Sequence, residues 1–357
     1  MTTREVHPTY GLGRAEPGPP GSWPSEPGPP DFRASEPGPA ASRAASPGTG
    51  RARLVLGALA VAATVPYLLL KTAWVAGSHV GIPAGSVLRD PGPVLVTANA
   101  VTLAMDASVI LLVLVLTRPW GIRVPAWLLT VPAFVATGLL TPILFGFCGQ
   151  LLTRALGFGA ATGGGSGQEA FLDPWVPDVV YAGFTVQGLA LAGLFVPYAR
   201  ERWGRLWQGV PGARLPSSTG VMAAAAAAVG AAVGGAHFYW AFGGTAGLGG
   251  ERAASWSAEA SVGSAVHGLC TVVAGVVAVL LARGGRRGAW WPPAVAWTSS
   301  AAAACWGLWM LIASAGQDFG PAEQDTLVMY LPYAGQMITG LLSAAVLTRF
   351  LISRRPA

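Results

Sequence analysis

The sequence predicts an all-α, polytopic membrane protein of about eight transmembrane helices in two tandem, parallel four-helix repeats. Three observations carry that expectation. Charged residues make up 11% of the 357-residue chain against 52% hydrophobic, where a soluble domain carries roughly 25% charged. The apolar residues gather into stretches near the ~20 residues needed to cross a bilayer. The arginines fall beside every second connector.

Residues 1–50 are read as a disordered cytoplasmic tail. They are rich in Pro, Gly, Ser and Ala and repeat Glu-Pro-Gly-Pro at Glu16, Glu26 and Glu36. Such a segment buries too little apolar surface to offset the entropy of ordering. It also lacks the apolar core and small-residue cleavage site of a signal peptide.

Eight apolar segments follow, at Arg53–Ala76, Val94–Thr117, Ile122–Phe147, Trp175–Tyr198, Gly220–Phe242, Ala260–Ala282, Trp291–Ala315 and Thr326–Leu351. In hydrocarbon every backbone amide must be paired within the segment, which makes these helices. With the N-terminus inside, the inner connectors and ends hold Arg51, Arg53, Arg118, Arg123, Arg200, Arg202, Arg205, Arg214, Arg283, Arg286, Arg287, Arg349, Arg354 and Arg355. The opposite loops hold Arg89, Arg154 and Arg252 together with most of the acids. The positive-inside rule then holds at each loop and places both termini in the cytoplasm. Trp120, Trp127, Trp290 and Trp291 fit an aromatic belt at the inner boundary.

The net charge of +6 is taken up by these orientation signals, so no nucleic-acid partner is expected. Lys71 is the one lysine beside 21 arginines. With so much Ala, Gly and Pro, that usage fits a GC-rich bacterium and hence a plasma membrane. Three separate cysteines, Cys148, Cys270 and Cys305, form no disulfide framework.

The halves echo each other. Lys71-Thr-Ala-Trp74-Val-Ala-Gly77-Ser-His-Val-Gly81 aligns with His237-Phe-Tyr-Trp240-Ala-Phe-Gly243-Gly-Thr-Ala-Gly247. Gly149-Gln150 and Gly316-Gln317 are read as the ends of the third and seventh helices. Tyr181-Ala-Gly183 with Gly188 matches Tyr333-Ala-Gly335 with Gly340. Two units of four helices share one orientation, related by an axis along the membrane normal. The expected repeats are residues 51–205 and 215–357.

The stretch His237-Phe-Tyr-Trp-Ala-Phe-Gly-Gly, followed by a helix carrying His267-Gly-Leu, resembles a group of small actinobacterial four-helix membrane proteins of unknown function. The resemblance implies a tandem duplication of that fold, and it implies no activity. The first half departs from it by carrying Lys71 where the second carries His237.

Ionisable groups at membrane depth are functional candidates by default. Asp106 stands out, ~18 Å from the outer end of its helix at 1.5 Å per residue. Asn99, Thr102 and Asp106 share one face; Thr64, Tyr67, Lys71, Trp74 and Ser78 form a stripe on the preceding helix. Lys71 and Asp106 lean toward each other, because Cα–Cβ bonds tilt to each helix's N-terminus. A Lys71–Asp106 pair is set against Lys71 reaching for the outer interface with Asp106 neutral and hydrogen-bonded between helices. In the second half His237, His267 and Cys270 lie at comparable depth. They are candidate ligands for a metal or haem, or packing histidines held by hydrogen bonds. Tyr181 and Tyr333 are outer-level groups on the fourth and eighth helices. Gln187 and Gln336 are read as bonding across helices or lining a pathway. Gly230, Gly234 and the Ala223–Ala228 run signal close helix approach.

No enzymatic motif is present, and no cofactor is expected. The favoured reading is a non-enzymatic protein that binds or passes a small solute or protons. Its outward-facing polar cavity would lie between the first, second, fifth and sixth spans. The binding residues would be Asp106, Lys71, His237, His267, Tyr181 and Tyr333. Two alternatives stand beside it: a membrane scaffold using the tail and the arginine loops on a partner or on anionic lipid, and a haem- or metal-binding redox protein.

Overall fold

In the computed structural model the apolar segments are long helices, and no strand occurs among the described residues. The structure describes residues 47–89, 92–157, 172–208, 215–254, 256–284, 290–315 and 327–354. The proposed tail to residue 46 lies outside them. The helices are α1 (Pro47–Val75), α2 (Pro93–Thr117), α3 (Ala126–Ala155), α4 (Trp175–Gln208), α5 (Ser217–Ala241), the short α6 (Gly250–Ala254), α7 (Ala258–Ala282), α8 (Trp291–Ala315) and α9 (Leu327–Ile352). Eight of them, all but α6, are long and apolar enough to cross a membrane.

The differences from the expected segments have local causes. Helix α1 begins at Pro47, a residue type suited to a first helical turn, so the last four residues assigned to the tail are helical. Residues Pro119–Arg123 form a 3₁₀ turn, which delays α3 until Pro125 caps it at Ala126. That helix then runs through to Ala155. Gly149-Gln150 therefore lies inside α3 and does not end it, while Gly316-Gln317 lies outside the described residues. Helix α4 continues ten residues past Tyr198 into an Arg- and Trp-containing stretch, where hydropathy fades but helix propensity does not.

That extension is tied down. The Tyr198 hydroxyl donates to the Gly121 carbonyl at 2.9 Å, and Arg202 donates to the Tyr198 hydroxyl at 2.7 Å and to the Val124 carbonyl. The C-terminal end of α4 thereby closes the connector between α2 and α3. Arg53 also pairs with Glu201 at 2.9 Å.

In the first half, α1 packs on α2 and α4, and α3 packs on α4. In the second, α5 packs on α7 and α9, and α8 packs on α9. The halves meet where α3 lies against α7 and α8, and residues 46–357 form one unit. Trp297 and Trp306 of α8 fasten this seam by donating to Thr137 and to the Leu139 carbonyl of α3. At the C-terminal end of α3 Arg154 pairs with Asp178 of α4 at 3.0 Å and Glu259 of α7 at 2.9 Å.

The second half is the more closely packed, and its small residues explain why. A Cβ on Gly234 would stand 2.3 Å from the Val272 side chain, and one on Gly275 would stand 2.8 Å from Ala227 Cα. Helices α5 and α7 thus approach almost backbone to backbone, as the small-residue signals predict.

The turns that follow α1 and α5 match in their hydrogen bonds. The Trp74 indole donates to the Val80 carbonyl at 2.8 Å, and the Trp240 indole donates to the Ala246 carbonyl at 3.0 Å. The amides of Gly77 and Gly243 donate to the carbonyls of Trp74 and Trp240, and those of Ile82 and Leu248 to His79 and Thr245. Gly77, Gly243, Gly81 and Gly247 all take positive φ, between 73° and 92°, a conformation that favours glycine.

Candidate functional site

Asp106 sits near the middle of α2 and is 6% exposed. Its neighbour is Gln187 of α4, 1% exposed, whose amide donates to Asp106 Oδ1 at 3.1 Å. Asp106 Oδ2 and Gln187 Oε1 have no hydrogen-bond partner in the protein. Each is a buried acceptor at membrane depth, where an unmade hydrogen bond costs about 1–3 kcal/mol. A proton on Oδ2 turns that oxygen into a donor and removes the buried charge, while Oδ1 keeps the Gln187 amide N–H.

Lys71 does not pair with Asp106. Its ammonium donates to Asn99 Oδ1 at 2.5 Å and lies 5.3 Å from the Tyr67 ring and 5.1 Å from the Trp74 ring. The reason is depth: Lys71 is four residues from the C-terminal end of α1, level with the first turns of α2. Asn99 satisfies it before Asp106 comes within reach. Tyr67, one turn deeper, stands beside Thr102 and within electrostatic reach of Asp106. Lys71, Asn99, Tyr67, Thr102, Asp106 and Gln187 thus form a polar ladder from the end of α1 and the start of α2 to mid-span.

The second half holds a different cluster. His237 of α5, 5% exposed, has its Nδ1 3.3 Å from Ser264 Oγ of α7. Ser264 Oγ donates to the His237 carbonyl at 2.9 Å. With the hydroxyl proton so engaged, Ser264 accepts from His237 Nδ1–H. This fixes the tautomer and leaves Nε2 as a lone pair without a partner. The His267 ring lies 5.8 Å away, and its Nδ1 is 3.3 Å from the Gln336 amide nitrogen of α9. Trp240 and Trp306 stand edge-on to His237 and His267 at 5.4 and 5.1 Å.

These geometries correct the single shared cavity. Since α1 and α2 pack within one half and α5 and α7 within the other, Lys71 and Asp106 sit in a different cluster from His237 and His267. Tyr181 is 38% exposed beside Phe147, whereas Tyr333 is buried with Trp240 and Met329 and accepts from Arg252 at 3.5 Å. The two tyrosines therefore do not face one polar region. His237, His267 and Cys270 are not gathered into a three-ligand metal group among the described residues. A Cβ on Gly268 would meet His237 Cβ at 3.1 Å, so the two helices close together beside the histidines and leave no slot there for a planar macrocycle. Several of the arginines expected on the inner side have partners within the chain: Arg53 with Glu201, Arg202 with Tyr198 and Val124, and Arg349 with Ser218 and Thr219.

Sequence reasoning holds two readings of Asp106, and the geometry matches the one that bonds it between helices rather than to Lys71. It has Gln187 bonding across helices without naming the partner, and it does not pair Asn99 with Lys71. The available signal was that each is a lone amide in an apolar span, at the depth of the group it meets. Comparison with known proteins finds no matching family model, no similar curated protein and no similar solved structure.

Proposed function

We propose that this chain is a bacterial plasma-membrane protein, with both termini cytoplasmic, that binds and passes protons through Asp106. The observation that carries the reading is the Asp106–Gln187 pair: a buried mid-span carboxyl with one oxygen bonded by the amide and the other without a partner. A neutral acid avoids a buried charge there, and an ionised one leaves an unpaired anionic oxygen. Proton loss therefore requires a compensating donor from the ladder above; Tyr67 stands within electrostatic reach of Asp106, whereas the Thr102 hydroxyl is engaged by the Ala98 and Asn99 carbonyls. Lys71, held at the outer end by Asn99, puts a positive charge at the mouth and disfavours other cations there.

The two halves are read as copies of one four-helix unit. Their matched outer turns and matched helix neighbours support this. Lys71 with Asn99 and His237 with Ser264 then occupy corresponding places. The second half has no carboxylate at the mid-span level of α7, so the half-units have diverged in what they hold.

The test is proton movement in proteoliposomes carrying an internal pH-sensitive dye, driven by a potassium diffusion potential. The wild-type protein is expected to move protons faster than empty vesicles, and Asp106→Asn is expected to return the rate to that of empty vesicles. A wild-type rate equal to empty vesicles, or an undiminished rate in D106N, overturns the reading.

A further inference from the structure

His237 and His267 form the second buried polar cluster, and the pathway through Asp106 does not use them. The hydrogen bonds around them are directional. The Ser264 hydroxyl donates to the His237 carbonyl, so His237 Nδ1–H donates to Ser264 Oγ. The Gln336 amide donates to His267 Nδ1, so His267 carries its proton on Nε2. His237 thus presents a bare basic nitrogen, 5% exposed and unpartnered. Its neighbour 5.8 Å away carries an N–H and has its other nitrogen bonded.

We propose that this pair is a second proton-binding site, at the outer level of the second half, in which the proton enters at His237 Nε2. It deepens the proton reading and shares with it only the premise that protons reach buried groups from the outer face. On binding, the proton adds to the Nε2 lone pair and no bond breaks. The resulting imidazolium donates from Nδ1 to Ser264 and from Nε2 into the space shared with His267 and Gln336. The edges of Trp240 and Trp306 bound that space without titrating.

The groups facing His237 from each packed helix are few. Helix α7 offers Ser264, His267 and, a turn deeper, Cys270; α9 offers Gln336 and, in the layer above, Tyr333, which is bonded by Arg252 of α6. Glu259, at the start of α7, is the nearest acid along that helix and is committed to Arg154. The base at the corresponding place in the first half, Lys71, donates to Asn99 as His237 donates to Ser264. A protonatable nitrogen bonded to the neighbouring helix thus stands at the outer level of each half. The second half's is an imidazole, whose neutral form keeps one lone pair able to take up a proton.

The experiment is a pH titration of ¹⁵N-histidine-labelled full-length protein in nanodiscs. The chain has four histidines, at positions 7, 79, 237 and 267, and the signals are assigned from single His→Asn variants. The expected result is a His237 signal that begins as the neutral Nδ1–H form and moves to the doubly protonated form as pH falls. Far-UV circular dichroism should stay unchanged over that range. The same transition is expected in D106N. Gln336→Leu, which removes the amide oxygen available to the His237 imidazolium, should weaken proton binding at His237 by roughly tenfold. Ser264→Ala should lose the Nδ1–H preference at high pH. A His237 signal that stays neutral until circular dichroism reports unfolding overturns the proposal. So does a His237 transition that is indifferent to both Q336L and S264A. Failure of the Asp106 flux test leaves these outcomes unchanged, so the two readings fall separately.

Discussion

Replacing Gly340 by alanine tests whether α8 and α9 meet as closely as the structure requires. A Cβ at Gly340 would stand 2.2 Å from the Ala304 amide nitrogen and 2.6 Å from the Ser300 carbonyl oxygen. Both are backbone atoms of α8 and cannot swing aside. Restoring ordinary contact near 3.5 Å requires the two helices to separate by about 1 Å. That movement disturbs the packing of Gly307, where an added Cβ would be 2.4 Å from the Met337 amide nitrogen. Overpacking of this kind costs about 1–3 kcal/mol, and backbone on both sides puts Gly340 at the upper end. Alanine's higher helix propensity returns about 1 kcal/mol, leaving a net loss of about 2 kcal/mol. Gly235 of α5 is the control, because a Cβ there meets nothing within 4 Å. Gly235→Ala therefore keeps only the propensity gain. Equilibrium unfolding in mixed detergent micelles should separate the variants by about 3 kcal/mol, the sum of these two effects. Equal stabilities would refute the close α8–α9 contact.

Further outcomes follow from other contacts. Tyr198→Phe removes the hydroxyl that donates to Gly121 and accepts from Arg202, so it should cost about 1–3 kcal/mol and raise protease cleavage at the α2–α3 connector. Trp240→Phe leaves the Ala246 carbonyl without its indole donor, and hydrogen exchange should rise in the turn after α5 while the middle of α5 stays protected. Arg154→Gln breaks two half-exposed ion pairs. The loss should stay under about 1 kcal/mol at low salt and vanish in high salt, where such pairs are screened. In a background lacking the native cysteines, a membrane-impermeant thiol reagent applied to whole cells should label Val80→Cys, on the turn after α1, and spare Arg123→Cys.

How much of this was legible in the sequence differs between fold and site. The spans were readable because length and hydropathy are properties of one segment, and the arginine alternation repeats at every loop. Boundaries failed where a feature other than hydropathy set the helix end. Pro125 delayed α3, and the Tyr198–Arg202 anchor carried α4 beyond its apolar run. The turn after each Trp was legible, since the glycines at positions 77, 81, 243 and 247 are what positive φ demands. At the site, helix-face spacing found Asp106, Lys71, His237 and His267, but spacing on one helix does not say which neighbour packs beside it. Pairing Lys71 with Asp106 needed only the tilt of two helices. The observed partners, Asn99 and Gln187, depend on depth to within one turn and on α4 lying over α2. The single cavity failed for a related reason: a sequence repeat shows that two units correspond, and not which faces meet. They meet through α3.

The most direct test of the account is the protonation state of one side chain. Infrared difference spectra of the purified protein in lipid, recorded across a pH step, should contain a protonated-carboxyl C=O band that D106N removes. Gln187→Leu should shift that band by taking away its amide partner. A spectrum in which Asp106 contributes only carboxylate bands, or one that D106N leaves unaltered, would contradict a proton held between Asp106 and Gln187.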